Sequence, residues 1–577
     1  MLSWVIISPL VKCPWHPLRA LLVVSLLGTV SAAVHAQPAY PDPQEFPLPP
    51  EPTAPITEPP AEPQASPEPA AELQGTIGEV RIVTQGIFDP DKPGEDKWVF
   101  RMADRLHRTT RPTVIERQLL LEPGDPYSPE AVAESERLLR ANRYLYDARI
   151  RPVPASGGLI DLEVETRDVW TLRAGISFNR AGGENSTDFT LQDSNFLGTG
   201  KDLTLWRISN VDRTSTLFRY RDPNTFGTRT QLELSAAEYS DGGSRRFEIE
   251  RPFYSLDARR AAGFKVYTYE RVDSLYDFGE IFQKIDHRRE QVEAYAGFSE
   301  GRSGRITRRW LVGFNRELDV FEYAPGGDST PLPPTNRLFT YPWIGFEYVE
   351  DGFIAERQLD QIQRTEDVNL GTQLHARVGW STSALGAERD HLIASLGMRT
   401  GWRPGARQML LAALEGGSRW GSHGRENFLV GGHLRYYLRN FGKGVFYTGI
   451  EAALSEQLDP ETQILLGGDT GLRGYPIRFQ SGDRRWLVQL EQRFFSDREL
   501  FHVMHLGGAV FFDAGRAWFK DADFGDKPEL TDVGIGLRLG SSRSSSGAMV
   551  HLDLAYPLDR QEGIASLQWL VSTSETF

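Results

Sequence analysis

Apolar and polar residues alternate along most of this chain. Leu172, Ala174, Ile176 and Phe178 are separated by Arg173, Gly175 and Ser177, and Val533, Ile535, Leu537 and Leu539 by Gly534, Gly536 and Arg538. Leu552 and Leu554 flank Asp553. A period of two belongs to a strand with one apolar face and one polar or small face. Segments of roughly ten residues with this pattern recur from Val169 to Phe577, as expected of a transmembrane antiparallel β-barrel with lipid outside and a polar interior. A soluble β-sandwich also alternates, but the length of the array and the terminal Phe577 favour the barrel. About twenty segments are countable, and an even number brings both barrel ends to one side. If the first strand runs outward, the long connections 271–288, 321–340 and 456–482 fall on the outer side.

Residues 75–168 read differently, as a small α+β module. Ile77, Val80 and Ile82 open it as a strand. Thr113-Val114-Ile115-Glu116 has the form of a capping box and predicts a short helix with Leu119 and Leu120 on its apolar side. Ser128-Pro129-Glu130 predicts a second helix, with proline in its first turn and Val132, Leu138 and Leu139 buried. Two strands follow, Ala148 to Val153 and then Ile160, Leu162 and Val164 alternating with Asp161, Glu163 and Glu165. Residues 88–111 interrupt the module, with a helical stretch expected around Trp98–His107.

Targeting and composition narrow the class. Lys12 and Arg19 precede an apolar run from Ala20 to Val30, and Val34-His35-Ala36 offers a cleavage site before Gln37, so 1–36 reads as a secretory signal. The only cysteine, Cys13, lies inside it. Residues 37–74 hold thirteen prolines, several acids and no lysine or arginine. That composition cannot bury a core and favours an extended spacer. Beyond the signal no stretch reaches the ~18 apolar residues of a spanning helix, so a membrane role must come from strands. A formal net charge of −14 over 577 residues, with no basic stripe, argues against nucleic acid.

One stretch stands apart, Leu466 to Tyr475, with glycine at 467, 468, 471 and 474 around a single long cation, Arg473. Such a loop turns tightly and carries a guanidinium into a confined space, where it needs carboxylates. Asp513, in Phe511-Phe512-Asp513-Ala514-Gly515, and Glu491 supply them; alternation puts Phe511, Asp513 and Gly515 on one face and Gln489, Glu491 and Arg493 on one face. Leu472-Arg473-Gly474-Tyr475 followed by Phe511-x-Asp513-x-Gly515 resembles the motif pair of the outer-membrane protein insertase superfamily of BamA and TamA. The resemblance covers most of 75–577. It implies that 75–168 is a POTRA domain, that 169–577 is an outer-membrane barrel of sixteen strands, and that the arginine loop enters the barrel to meet its wall. Asn195-Phe196-Leu197-Gly198-Thr199-Gly200-Lys201 and Asp222-Pro223-Asn224-Thr225-Phe226-Gly227 look like the first two periplasmic turns of such a barrel. The chain departs from its relatives in having one such domain where they have several.

Histidines are scattered, and no H-E-x-x-H, C-x-x-C, P-loop or G-x-S-x-G occurs, so no enzyme, metal or cofactor is expected. The resemblance implies a bacterial outer-membrane factor that inserts or exports polypeptides, with module and linker in the periplasm. Its partners would be outer-membrane lipid, client polypeptides and a periplasmic partner at the module. The alternatives are a two-partner transporter for one exoprotein and a passive pore or surface antigen. Closure would pair the first strand, with Leu172, Ala174 and Ile176, against Ser566–Phe577, where Leu567, Trp569 and Val571 form a short lipid stripe. Only Phe577 follows that stripe as an apolar residue, so either the pairing is weak or the polar tail 572–576 projects into the periplasm.

Overall fold

The computed structural model describes residues 73–87, 98, 107–324, 332–360, 362, 365–500, 503–520, 527–541, 549–559 and 564–574. The signal segment, nearly all of the proline-rich segment, most of 88–111 and the terminal Phe577 lie outside the described residues. Twenty strands between Leu172 and Ser574 bond in chain order, each antiparallel to its neighbours, into one closed barrel. The sixteen implied by resemblance is therefore corrected to the number the segment count suggests. The reason is physical: each alternating segment carries its own lipid-side residues and must stand in the wall.

Outward side chains stay uncovered, with Ile176, Ile344 and Ile535 at 66%, 60% and 59% exposure. A belt of this kind is solvated by lipid rather than water. Paired aromatics join it, Trp310 tilted against Phe346 at 4.7 Å and Phe178 stacked on Trp569 at 6.1 Å between ring centres. Among the described residues no helix is long and apolar enough to cross a membrane.

The wall is uneven. Arg260–Asp277, Glu280–Ser303 and Ile306–Tyr323 hold 18, 24 and 18 residues, roughly twice the ~10 that a tilted strand needs to cross a bilayer. Residues 271–288, expected as a connection, are the end of this hairpin, which turns only at Phe278-Gly279 with φ of 48° and 81°. Some of the polar residues that suggested a loop point inward, where His287 bonds Asp273 at 2.7 Å and Asp319 at 3.0 Å. The expected 321–340 connection is likewise shorter, beginning after Tyr323 and ending before Arg337. The last strand, Gln568–Ser574, has only seven residues. It meets the first, Leu172–Ala181, at one register position, Val571 opposite Arg180.

Ahead of the barrel stand β1 (Thr76–Gln85), α1 (Pro112–Glu116), α2 (Pro129–Arg140), β2 (Leu145–Pro154) and β3 (Leu159–Asp168). Their sheet has the order β1-β3-β2, with β1 parallel and β2 antiparallel to β3. Ile77, Ile115, Leu139, Leu145, Leu162 and Val164 form the core beneath it. Ser128 caps α2 by accepting from the Ala131 amide at 3.2 Å. Thr113 is not a cap: α1 starts at Pro112 after Arg111, and Leu119 and Leu120 lie beyond its end because proline in the first turn fixes an earlier start.

This module sits against one end of the barrel. Arg111 N donates to Gly198 O at 3.0 Å, Arg229 Nη2 to Leu119 O at 2.8 Å, and Leu256 N to Glu134 Oε1 at 2.7 Å. At that end the connection after Arg337–Glu350 forms a hairpin, Phe353–Arg357 with Thr365–Asn369. At the far end the connection after Gly444–Glu456 forms another, Ile464–Leu466 with Gln480–Gly482.

Candidate functional site

The far-end hairpin carries the glycine-rich loop into the lumen. Gly468 N donates to Pro476 O at 2.9 Å, Leu472 N to Gly467 O at 3.0 Å, and Tyr475 N to Leu472 O at 3.1 Å, so the loop folds back on itself. Gly471 has a φ of 110°, a region that side chains with a Cβ avoid. Leu472 and Tyr475 are fully buried with Leu466, Phe479, Leu487, Ala517 and Leu530. That apolar cluster holds the loop against the wall, and the polar contacts then set its register.

Arg473 meets Asp513 through two parallel bonds, Nε to Oδ2 at 2.7 Å and Nη2 to Oδ1 at 2.8 Å. Its Nη1 reaches Glu491 Oε2 at 3.0 Å and Asp553 Oδ2 at 3.2 Å. The guanidinium lies 3.4 Å from the centre of the Phe511 ring. A planar fork meeting one carboxylate bidentately while stacking on an aromatic is a geometry that lysine cannot reproduce. Gly474 donates its amide to Asp532 at 2.9 Å, and a Cβ there would stand 2.6 Å from the Asp532 Cβ. Gly515 faces the same cluster from below, where a Cβ would stand 3.2 Å from Leu466. The Tyr475 hydroxyl donates to Thr531 O at 2.8 Å.

Arg493 and Arg473 both bind Glu491, with Arg493 Nε at 3.1 Å from Oε1. Arg538 adds a third cation, 3.2 Å from Glu491 and also bonded to Asp553. Sequence reasoning had named Asp513 and Glu491 but passed over Asp553, Asp532 and Arg538. All three sit on inward positions of alternating strands, and Asp553 between Leu552 and Leu554 carried the same signal. Among the described residues no group of three or more histidines, cysteines, aspartates or glutamates is placed to hold a metal ion.

The loop also touches the other side of the seam. A Cβ on Gly182, in the turn after the first strand, would lie 2.1 Å from Ile477 N. Arg478 ties the same stretch to Asp212 through two bonds of 2.6 Å. At the seam itself Leu172, Ala174, Ile176 and Phe178 face outward, as does Trp569 in the last strand, while Val571 is half-buried. Leu567 precedes that strand rather than standing in it, and Phe577 lies outside the described residues.

No family model matches the chain. One curated protein, the outer membrane protein assembly factor BamA of Neorickettsia risticii (strain Illinois), is 26% identical over 174 residues, 30% of this chain and 20% of that protein. The chain thus spans about a fifth of that relative. Among solved structures, BamA from Haemophilus ducreyi lacking POTRA domains 1–3 aligns with a TM-score of 0.37 at 14% identity, covering 86% of this chain and 85% of that one. CdiB from Escherichia coli aligns at 0.43 and 12% identity, over 86% and 76%. With a closed antiparallel barrel, the Arg473 and Asp513 motifs in order, and a stretch of sequence like BamA, the chain resembles the outer-membrane protein insertase superfamily.

Proposed function

We propose that this chain is an outer-membrane factor that helps insert or export other polypeptides, with residues 75–168 as a POTRA-like module in the periplasm. The observation that supports it best is the position of the Arg473 loop across the seam. Arg473 binds Asp553 in the strand next to the last, and Ile477 rests on Gly182 beside the first. A wall closed by one register position and stapled from inside is suited to opening there. A client strand entering the gap would satisfy its backbone on the freed edges of Leu172–Ala181 and Gln568–Ser574, a requirement of any strand in lipid. No nucleotide or cofactor takes part in this reading.

Docking on the module has a preferred side. Outward amides on β2 are spent: Ala148 N bonds Asp147 at 2.9 Å, Ile150 N bonds Glu136 at 2.6 Å, and Pro152 and Pro154 have none. Blocked edges of this type resist strand addition. The edge of β1 from Val80 to Gln85 is left as the receiving one. Photocrosslinkers placed along Val80–Gln85 and along Leu172–Ala181 in intact envelopes test the whole reading. Capture of outer-membrane or secreted polypeptides at both supports it. No adducts at either site, in envelopes whose outer-membrane proteins survive depletion of this chain, would overturn it.

A further inference from the structure

The hairpin at the module end has no part in the reading above. It leaves the wall through a narrow neck, where Glu350 N donates to Thr372 O at 2.9 Å and a Cβ on Gly352 would stand 2.4 Å from Gly371 N. From there it crosses the lumen. Leu359 and Ile362 are 3% and 4% exposed and pack with Met409, Tyr437, Val445, Phe495 and Met549. These five residues come from five different wall strands.

Around that apolar floor the wall is basic, and the hairpin answers with acids. Glu356 pairs with Arg403 at 2.8 Å and also with Arg439. Asp360 accepts from Arg493 at 2.9 Å and from the Tyr437 hydroxyl at 2.8 Å, and lies 3.5 Å from Arg435. Arg493 donates as well to Leu359 O at 2.6 Å. On its other side the hairpin is held by the module: Asp367 takes two bonds from Arg140 of α2, at 3.1 and 2.9 Å, and Phe353 lies 3.9 Å beneath Arg137.

We propose that this hairpin is a removable inner plug, and that the patch beneath it is a receiving site for an acidic, apolar-tipped extended segment of a client. The inference rests on the function proposed above and names the chemistry of what enters. Arg493 is buried and costly to leave unpaired, and Arg403, Arg435 and Arg439 extend the same basic patch toward solvent, so whatever displaces the hairpin must bring carboxylates to these arginines and apolar side chains to the floor. The hairpin is the chain's own version of that segment. Barrel width grows with strand number, and one loop from the far end leaves the module end of a twenty-strand barrel to be filled from its own side. The two fillings are connected, because Arg493 bridges Asp360 of the hairpin to Glu491, which holds Arg473. Displacing the hairpin therefore removes a partner from the network that anchors the outer loop.

The test uses the full chain in planar bilayers. Removing 353–370 joins Gly352 to Gly371 and leaves every wall strand in register; the expected result is a several-fold rise in conductance. A free peptide with the sequence of residues 353–369, added on the module side, should close that variant. The same peptide carrying Glu356→Gln and Asp360→Asn should need roughly tenfold more, a difference of about 1.4 kcal/mol. A Cβ on Gly540 would stand 3.4 Å from Ile362 Cβ, near disulfide range. Ile362→Cys with Gly540→Cys should therefore lock the protein shut until it is reduced. If the deletion gives no heat-modifiable barrel, Glu356→Gln with Asp360→Asn in the intact chain replaces it, and openings that the acidic peptide suppresses are expected. Wild-type conductance after deletion, or equal block by both peptides, would overturn the proposal. None of these measurements needs a client, so they stand or fall apart from the crosslinking experiment.

Discussion

The wall from Arg260 to Glu350 and the seam between Leu172–Ala181 and Gln568–Ser574 are built from the same alternating strands but are held in different ways. In the first, Arg260–Asp277 pairs with residues 280–298 along its whole length, and the pairing continues into the next two strands with one irregularity after Leu275 and another after Ser299. A continuous backbone ladder carries that stretch, with inward ion pairs such as Arg289 with Asp319 added to it. At the seam one register position remains, and Phe178 on Trp569 with Arg180 over the same indole adds side-chain contact. What backbone pairing does not supply there, the Arg473 loop does from within. The difference is that a ladder closes one region, whereas at the seam a single register position is joined by side-chain contacts and by a luminal loop that reaches Asp553 on one side and Asp212 on the other.

Breaking the ladder should have the largest effect. Val292 stands between Val266 and Arg316 in mid-wall, where proline removes a donor and distorts both neighbours. Val292→Pro is expected to abolish the heat-modifiable band, and a band that survives would show the long wall to be less continuous than its register suggests. Next, Arg180→Cys with Val571→Cys should lock the seam in a chain whose other cysteine lies in the signal segment. Client assembly is expected to stop until reductant is added; if it proceeds under oxidation, a luminal route replaces the seam. Arg473→Ala leaves Asp513, Glu491 and Asp553 short of a cation at a cost of about 3–5 kcal/mol. The barrel should assemble, yet externally added protease should cut between Asp469 and Phe479, and an unchanged digest would mean that the apolar cluster alone holds the loop. Smallest, Tyr475→Phe forfeits the bond to Thr531 O, about 0.5–1.5 kcal/mol. The midpoint for loss of the heat-modifiable band should fall slightly, and by clearly less than with Arg473→Ala.

How much of this is legible in the sequence depends on how local the cause is. Alternation marks the barrel segments and even their number, because lipid outside and polar residues inside repeat the same local rule twenty times. Asp513 and Glu491 can be named because short motifs and the same rule place them inward. Asp553 obeyed that rule equally well, but nothing near it in sequence says which cation it faces. The plug hairpin was invisible for a stronger reason. Arg357-Gln358-Leu359-Asp360-Gln361-Ile362 reads as a polar turn, and the burial of Leu359 and Ile362 comes from partners as distant as Met409 and Met549. The outer ends of the long strands misled in the opposite direction, since charges at Asp273 and His287 look solvent-facing until the lumen is known to be polar.

The glycine neck at Gly352 and Gly371 has one more consequence, for how such a protein can change over generations. A segment that leaves and rejoins the wall at touching backbones is a cassette. It can lengthen or shorten without altering any strand's register, whereas the Arg473 loop, which also leads into wall strands at both ends, is bound in its middle to residues of four successive strands, Glu491, Asp513, Asp532 and Asp553. Selection can therefore change the length of residues 353–370 without disturbing the wall, while their charges must stay matched to Arg403, Arg439 and Arg493.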